Sequence, residues 1–310
     1  MMGKFSRFGK LTVLIGACLS MRLAVADDYA IILGVSDYAT GINAMAAKEK
    51  LEKVKPSEVN LPGAINDARD FKTMLSSKFH MSGGHIKMHL DNDVSRDSLG
   101  EDLKWLAESV VPGDNVLLYF SGHGTRFPAE KDPKAFDEAI VLGDANVVMD
   151  KEIKEIAELF SQHGINTTFV FDSCYSGGMS KGALFFKGRP IVSHRKFLSQ
   201  KIGASLAKTA RRPRAIVMRA PTGQTDGSIA YLFASSKDET ASDIHFKDPN
   251  EPSHGLFSLL LMLELNDNPK TSIKEVVRLI GSEAKEAKFT QTPSIETSDP
   301  ARDDQPLIPQ

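Results

Sequence analysis

The chain has 310 residues, 41% of them hydrophobic and 25% charged, with a formal net charge of −2. That is a globular composition, long enough for one large or two small domains, and it offers no global attraction to nucleic acid or to a membrane surface. Two cysteines, Cys18 and Cys174, cannot build a disulfide framework.

Lys4, Arg7 and Lys10 precede an apolar run over residues 11–19, and Ala24-Val25-Ala26 follows it. A basic segment, a short apolar core and an A-x-A site make residues 1–26 a secretory signal peptide. The apolar run is too short to span a bilayer comfortably. The expectation is an exported protein, periplasmic or secreted, and not an integral membrane protein after processing. An uncleaved membrane anchor is one alternative, and Ile15-Gly16-Ala17-Cys18 leaves a lipoprotein as another, although apolar residues continue past Cys18. Loss of the segment removes Cys18 and leaves Cys174 alone. Structural cysteines in an oxidising compartment usually pair, so a lone thiol is read as reactive.

Residues 29–35 read as a buried strand, and the charged stretch 48–54 as a surface helix. The turn Leu61-Pro62-Gly63-Ala64-Ile65-Asn66-Asp67 opens a helix over 64–77. Residues 86–90 alternate like a half-buried strand, and 97–109 form an amphipathic helix carrying Trp105. A buried strand over 115–120 then ends in Ser121-Gly122-His123-Gly124-Thr125. Residues 138–142 make a short strand, and 150–162 a helix with Asp150 as its N-cap. A second buried strand, 168–171, ends in Asp172-Ser173-Cys174-Tyr175-Ser176-Gly177-Gly178. Strands alternating with helices predict an α/β fold, a doubly wound, mostly parallel β-sheet flanked by helices.

Residues 179–220 break the pattern with eleven Lys and Arg and no Asp or Glu. They read as a basic insertion or linker loop within a domain over 27–295. Little aromatic interleaving and an otherwise acidic chain argue against nucleic acid as the partner. A strand over 229–236 and helices over 255–265 and 272–287 follow. The polar, Pro-rich residues 296–310 read as a flexible tail.

A thiol and an imidazole at the carboxyl tips of two strands stand where α/β sheets gather their chemistry. Cys174 and His123 form a nucleophile–base pair, with His123 able to hold the thiol as a thiolate–imidazolium pair. The histidine lies 51 residues before the cysteine (174 minus 123), near the roughly 50 of one cysteine-protease class. The backbone N–H groups of Gly124 and Cys174 are the candidates for binding an oxyanion. Asp172 lies two residues before Cys174 and so faces the same side of its strand. Its carboxylate would attract a cationic substrate side chain. Asp67 is either a second wall of that cleft or a carboxylate serving the helix start. The expected partners are therefore protein or peptide substrates with cationic side chains, and the chemistry needs no cofactor. An enzyme of that specificity would nick its own basic loop, at Arg195-Lys196 or Arg211-Arg212.

Several segments together resemble the caspase-like peptidases, specifically metacaspases and their bacterial relatives. They are Leu61-Pro62-Gly63-Ala64-Ile65-Asn66-Asp67-Ala68, Ser121-Gly122-His123-Gly124-Thr125, Phe136-Asp137-Glu138-Ala139-Ile140, Asp172-Ser173-Cys174-Tyr175-Ser176-Gly177 and Ser236-Lys237-Asp238-Glu239-Thr240-Ala241-Ser242-Asp243. Gly255-Leu256-Phe257-Ser258 and Gln291-Thr292-Pro293 add to the likeness. The resemblance implies a caspase-like fold and an endopeptidase cutting after Arg or Lys. It also implies an S1 pocket, for the side chain before the cut, made by Asp67, Ser121 and Asp172. Tyr175 stands where the family usually has His. Calcium, which many metacaspases need, would use acidic residues at positions matched here by Asp137 and Asp150. Lys151 and Lys181 occupy other expected acidic positions, which disfavours a hard cation. Two rivals remain: a non-catalytic caspase-fold scaffold that binds partners, and a peptidase preferring acidic residues, for which Arg126 is the candidate pocket residue.

Overall fold

The computed structural model of the chain describes residues 26–49, 52–129, 132, 134–174, 184–209, 218, 225–236, 238–248 and 250–309. Its centre is set by three strands buried almost throughout, β1 (Asp28–Gly34), β3 (Asn115–Ser121) and β7 (Asn166–Asp172), with continuous apolar runs at 29–33, 116–120 and 169–171. Runs without polar alternation suit strands covered on both faces. With β2 (Ile86–Leu90), β10 (Ile229–Phe233) and β13 (Ser294–Thr297) they form one sheet, in the order β13-β10-β7-β3-β1-β2. Only the edge pairing of β10 with β13 is antiparallel.

Alternate side chains of these strands enter two separate cores. Ile31, Leu33, Leu118, Phe120, Phe169 and Phe171 face one core. That core takes in α1 (Tyr38–Glu49), α4 (Arg96–Ser109) and α5 (Asp150–Gln162). Ala30, Ile32, Leu117, Tyr119 and Val170 face the other. There they meet α3 (Gly63–Lys78), α7 (Leu256–Asp267) and α8 (Ile273–Glu286). The expected doubly wound, mostly parallel sheet is thus the architecture. Among the described residues no helix is long and apolar enough to cross a membrane.

Two small sheets extend the sheet's carboxyl edge. One joins β4 (Gly124–Pro128), β5 (Phe136–Val141) and β6 (Val147–Met149). The other joins β8 (Leu184–Phe186), β9 (Arg189–Arg195), β11 (Ser242–Phe246) and β12 (His254–Gly255).

Four expectations are corrected here. The first helix runs from Tyr38 to Glu49 rather than over 48–54. Asn43 brackets Val54 with two hydrogen bonds that hold 54 outside any helix, and a one-turn α2 (Pro56–Val59) follows. Asp150 is the first residue of α5, not its cap; the Met149 N–H is satisfied by Glu152. The basic segment is not one loop, because it contains β8, β9 and α6 (Gln200–Thr209). Nor is the tail loose. Leu307 and Ile308 are buried, and the buried Arg302 donates to Pro306 O, Leu307 O and Thr168 Oγ1 at 2.7–2.9 Å. Burial pulls its guanidinium down to about 10. Residues 1–25 of the expected signal peptide (1–26), with residues 175–183, 210–217 and 219–224, lie outside the described residues.

Arg302→Ala removes three hydrogen bonds, although Leu307 O keeps that of Thr168 Oγ1 at 3.0 Å, and should lower stability by about 2–3 kcal/mol. Urea unfolding measures this, and a midpoint equal to that of the wild type would show the tail to be dispensable.

Candidate active site

Strand register brings the two tips together. β3 and β7 are hydrogen-bonded neighbours with Ser121 opposite Asp172. The Gly122 N–H donates to Asp172 O at 3.2 Å. Each chain then runs two residues further, to His123 and to Cys174. Gly122 is required where it stands, because a Cβ there would sit 2.3 Å from Tyr38 Oη. That hydroxyl accepts from the His123 N–H at 2.7 Å and donates to Val141 O at 2.9 Å.

His123 is buried, with Nε2 2.7 Å from Val59 O. A carbonyl can only accept, so the proton resides on Nε2 and the lone pair on Nδ1. Nδ1 is buried with no hydrogen-bond partner. Burial pulls the imidazole down to about 4 and pushes the Cys174 thiol up to about 12. Both groups are therefore neutral near pH 7, and the thiolate–imidazolium pair is not the state of this closed site. Cys174 is a free, buried thiol.

Beside them lies a buried cluster of charge. Lys196 Nζ is 3.2 Å from Asp67 Oδ2, 3.0 Å from Asp172 Oδ2 and 2.7 Å from Ser121 Oγ, with all three charged side chains fully enclosed. Ser121 Oγ donates to Asp67 Oδ2 at 2.7 Å. Asp67 also accepts from the Gly255 N–H and lies 3.1 Å from His254 Nδ1. Asp172 Oδ2 accepts from the N–H and hydroxyl of Ser258, at 3.1 and 2.6 Å.

The two carboxyls respond differently. Burial alone would raise Asp67, but Lys196, His254 and Ser121 outweigh it and hold that carboxyl below its usual range. At Asp172 burial prevails over Lys196, and the neighbouring Asp67 adds to the rise. Its Oδ1 has no hydrogen-bond partner. Burial also opposes the ammonium of Lys196, yet Asp172 and Asp67 together raise its pKa.

The backbone of Lys196 is held as firmly as its side chain. Its N–H donates to Ala241 O at 3.0 Å, continuing the antiparallel pairing of Arg195 with Ser242. Its carbonyl accepts from the N–H groups of Gly124 and Cys174, at 2.9 and 3.4 Å. One lysine thus engages both the acidic pocket and the two oxyanion candidates. Gly255 makes room for it, since a Cβ there would lie 1.9 Å from Asp172 Oδ2 and 2.3 Å from Lys196 Nζ.

Of the residues singled out in the sequence, His123, Cys174, Gly124, Asp67, Ser121, Asp172 and Lys196 meet at this cleft. Arg195 is adjacent and exposed, while Arg211 and Arg212 lie outside the described residues. Asp137 and Asp150 each face an ammonium, Lys151 at 3.8 Å and Lys154 at 3.6 Å. Each carboxylate therefore already has a cationic neighbour, and among the described residues no group of three or more His, Cys, Asp or Glu could hold a metal ion. Arg126 lies over the Phe136 ring, 4.9 Å from its centre. Sequence reasoning missed the roles of Tyr38, Val59, His254, Gly255 and Ser258. The 255–258 segment carried a visible motif, whereas Val59 acts through a carbonyl that any residue supplies.

A family model described as "Caspase domain" matches residues 27–304, and the chain belongs to that family. It is similar to the metacaspases. Metacaspase-6 of Arabidopsis thaliana is 32% identical over 131 residues, covering 40% of this chain and 35% of that protein. Metacaspase-4 of the same plant is 26% identical over 234 residues, covering 68% and 55%. Metacaspase-1A of Aspergillus niger is 26% identical over 275 residues, covering 77% and 67%. The chain thus spans about a third to a half of the length of the two plant relatives. A crystal structure of a Geobacter sulfurreducens protein has the same fold, with a TM-score of 0.62 over 91% of this chain and 98% of that one, at 16% identity.

Gly255→Ala should expel the Lys196 ammonium while leaving the central sheet in place. Acetylation footprinting by mass spectrometry is expected to find Lys196 protected in the wild type and modified in the variant. Equal protection in both would contradict the close packing described.

Proposed function

We propose that the protein is a cysteine endopeptidase that hydrolyses peptide bonds after Lys or Arg, and that one of its substrates is its own Lys196–Phe197 bond. The observation that carries this is the placement of Lys196. Its side chain is neutralised by Asp67 and Asp172, and its carbonyl points at two N–H donors, one of them that of Cys174. A bound substrate residue preceding the cut would need the same contacts. On this reading Asp67, Ser121 and Asp172 are the S1 pocket, and the N–H groups of Gly124 and Cys174 bind the oxyanion.

The chemistry follows from the tautomer. Cys174 Sγ adds to the Lys196 carbonyl carbon as its proton passes to His123 Nδ1. Because both groups start neutral, the proton moves with the attack. Negative charge gathers on the oxygen facing the two N–H groups. Collapse breaks the C–N bond, and His123 returns the proton to the departing Phe197 nitrogen. Water, giving a proton to His123, then hydrolyses the thioester and restores the thiol. Val59 O keeps the imidazole oriented throughout and stabilises its charged form.

No metal is needed for any of these steps, and Lys151 and Lys154 beside the two calcium candidates support an enzyme active without one. The basic, apolar and A-x-A pattern of residues 1–26 supports export.

Fluorogenic peptides ending in Arg, Lys or Asp test the specificity, with and without chelator. Arg and Lys substrates should be hydrolysed equally well with chelator present, and the Asp substrate should not. Asp67→Asn and Asp172→Asn should each reduce kcat/KM on the order of 30-fold or more, as expected when a desolvated charge loses its partner. Mass spectrometry of the purified chain should find a cut after Lys196 that is absent from Cys174→Ala. Cleavage after Asp, or the same cut in Cys174→Ala, would refute the assignment.

A further inference from the structure

The chain that fills the cleft continues beyond the Lys196–Phe197 bond, and it is gripped there too. Phe197 bridges to Gly124 in parallel fashion, the Leu198 N–H donates to Gly124 O at 2.9 Å, and Thr125 Oγ1 donates to Leu198 O at 3.1 Å. The bond therefore lies between two backbone clamps, one on the β11 side and one at the start of β4.

Neighbouring residues of an extended chain point to opposite sides, and here both sides are apolar. Phe197 packs against the cluster that contains Cys174, Ile191 and Ala241. Leu198 is only 2% exposed and belongs to the opposite cluster, with Tyr38, Ile42 and Phe127. Those three lie on α1 and β4, not on the segment that fills the cleft. They would still be there for another peptide.

We infer that the enzyme also selects its substrates after the cut, taking a bulky apolar residue in the first position and, above all, in the second. This rests on the peptidase reading given above. The sequence offers an independent observation. Of the eleven Lys and Arg within 179–220, Lys196 alone is followed by two bulky apolar residues, Phe197 and Leu198. Arg211 is followed by Arg212-Pro213, Arg212 by Pro213-Arg214, Lys201 by Ile202-Gly203 and Arg214 by Ala215-Ile216. A basic residue alone would license many cuts in this segment; the added apolar requirement licenses one.

The test uses the wild-type full chain and internally quenched peptides of sequence Ser-His-Arg-Lys-Phe-Leu-Ser-Gln, matching residues 193–200. In variants, the residue matching Leu198 becomes Ala or Asp, and that matching Phe197 becomes Ala. A blocked peptidyl-lysyl coumarin, which has no amino acid after the cut, is run in parallel. Replacing Leu by Ala should lower kcat/KM about tenfold, and Asp should lower it further, because its carboxylate would be buried unpaired. The Phe replacement should have the smaller effect. If the coumarin is hydrolysed but all four peptides are cut at equal rates, selection after the cut is overturned. If neither the coumarin nor any of the four peptides is cut after its Lys, the basic specificity itself fails and this inference fails with it.

Discussion

The site is organised by one requirement: two carboxylates that no water reaches must share a cation. Asp67 comes from the first turns of α3 and Asp172 from the end of β7, with an ammonium between their Oδ2 atoms. Burying such charges is expensive unless they are paired and hydrogen-bonded. Asp67 meets that condition with Gly255, Ser121 and His254; Asp172 meets it only in part, through Ser258 and Lys196. A buried ammonium meets that need, and in this chain Lys196 supplies it. The pocket also ties the fold together, since α3, β3, β7, β12 and α7 each contribute an atom to it.

The same enclosure sets the resting chemistry. With Lys196 seated, water is excluded from Cys174 and His123, and desolvation drives both to neutrality. Thiolate is the reactive form of a cysteine, so the closed site suppresses the thiol toward outside electrophiles. It does not suppress the Lys196 carbonyl, which is held against the Cys174 N–H. Val59 O adds a constraint that no titratable residue could supply as steadily. A carbonyl cannot change protonation, so Nδ1 stays available at any pH where the ring is neutral.

How much of this was legible in the sequence follows the range of the interactions. The strands at 115–120 and 168–171 were plain because apolar runs and small-residue tips are local signals. Their adjacency follows from the order of a doubly wound sheet, and with it the meeting of His123 and Cys174. The acidic pair was legible as chemistry, though Asp67 was ambiguous until His254 and Gly255 were seen against it. The basic segment was misread because its order comes from elsewhere. β9 pairs on one side with its neighbour β8 but on the other with β11, about fifty residues on, and α6 lies against β4, where a Cβ on Gly203 would meet Thr125 Oγ1. The tail was misread for the same reason. Its Pro-rich composition says nothing of Arg302 reaching Thr168 and the chain's own carbonyls.

The proposed cut leaves two ends that are held very differently. The new C-terminus at Lys196 stays anchored by its ammonium and by β9, which pairs with β11 from Ile191 to Arg195. Hydrolysis also converts its neutral carbonyl into a carboxylate, which the N–H groups of Gly124 and Cys174 bind more strongly than the amide they held before. The new N-terminus at Phe197 keeps only its bonds to Gly124 and Thr125, the burial of Leu198 and the packing of α6. Breaking the bond therefore frees the side of the cleft after the cut more readily than the acidic pocket. On this reading cleavage alone does not open the enzyme fully. An incoming substrate must still displace a lysine of the same charge from the same two carboxylates, so the strength of the Asp67–Lys196–Asp172 contact governs both what the enzyme cuts and how readily it is released to cut it.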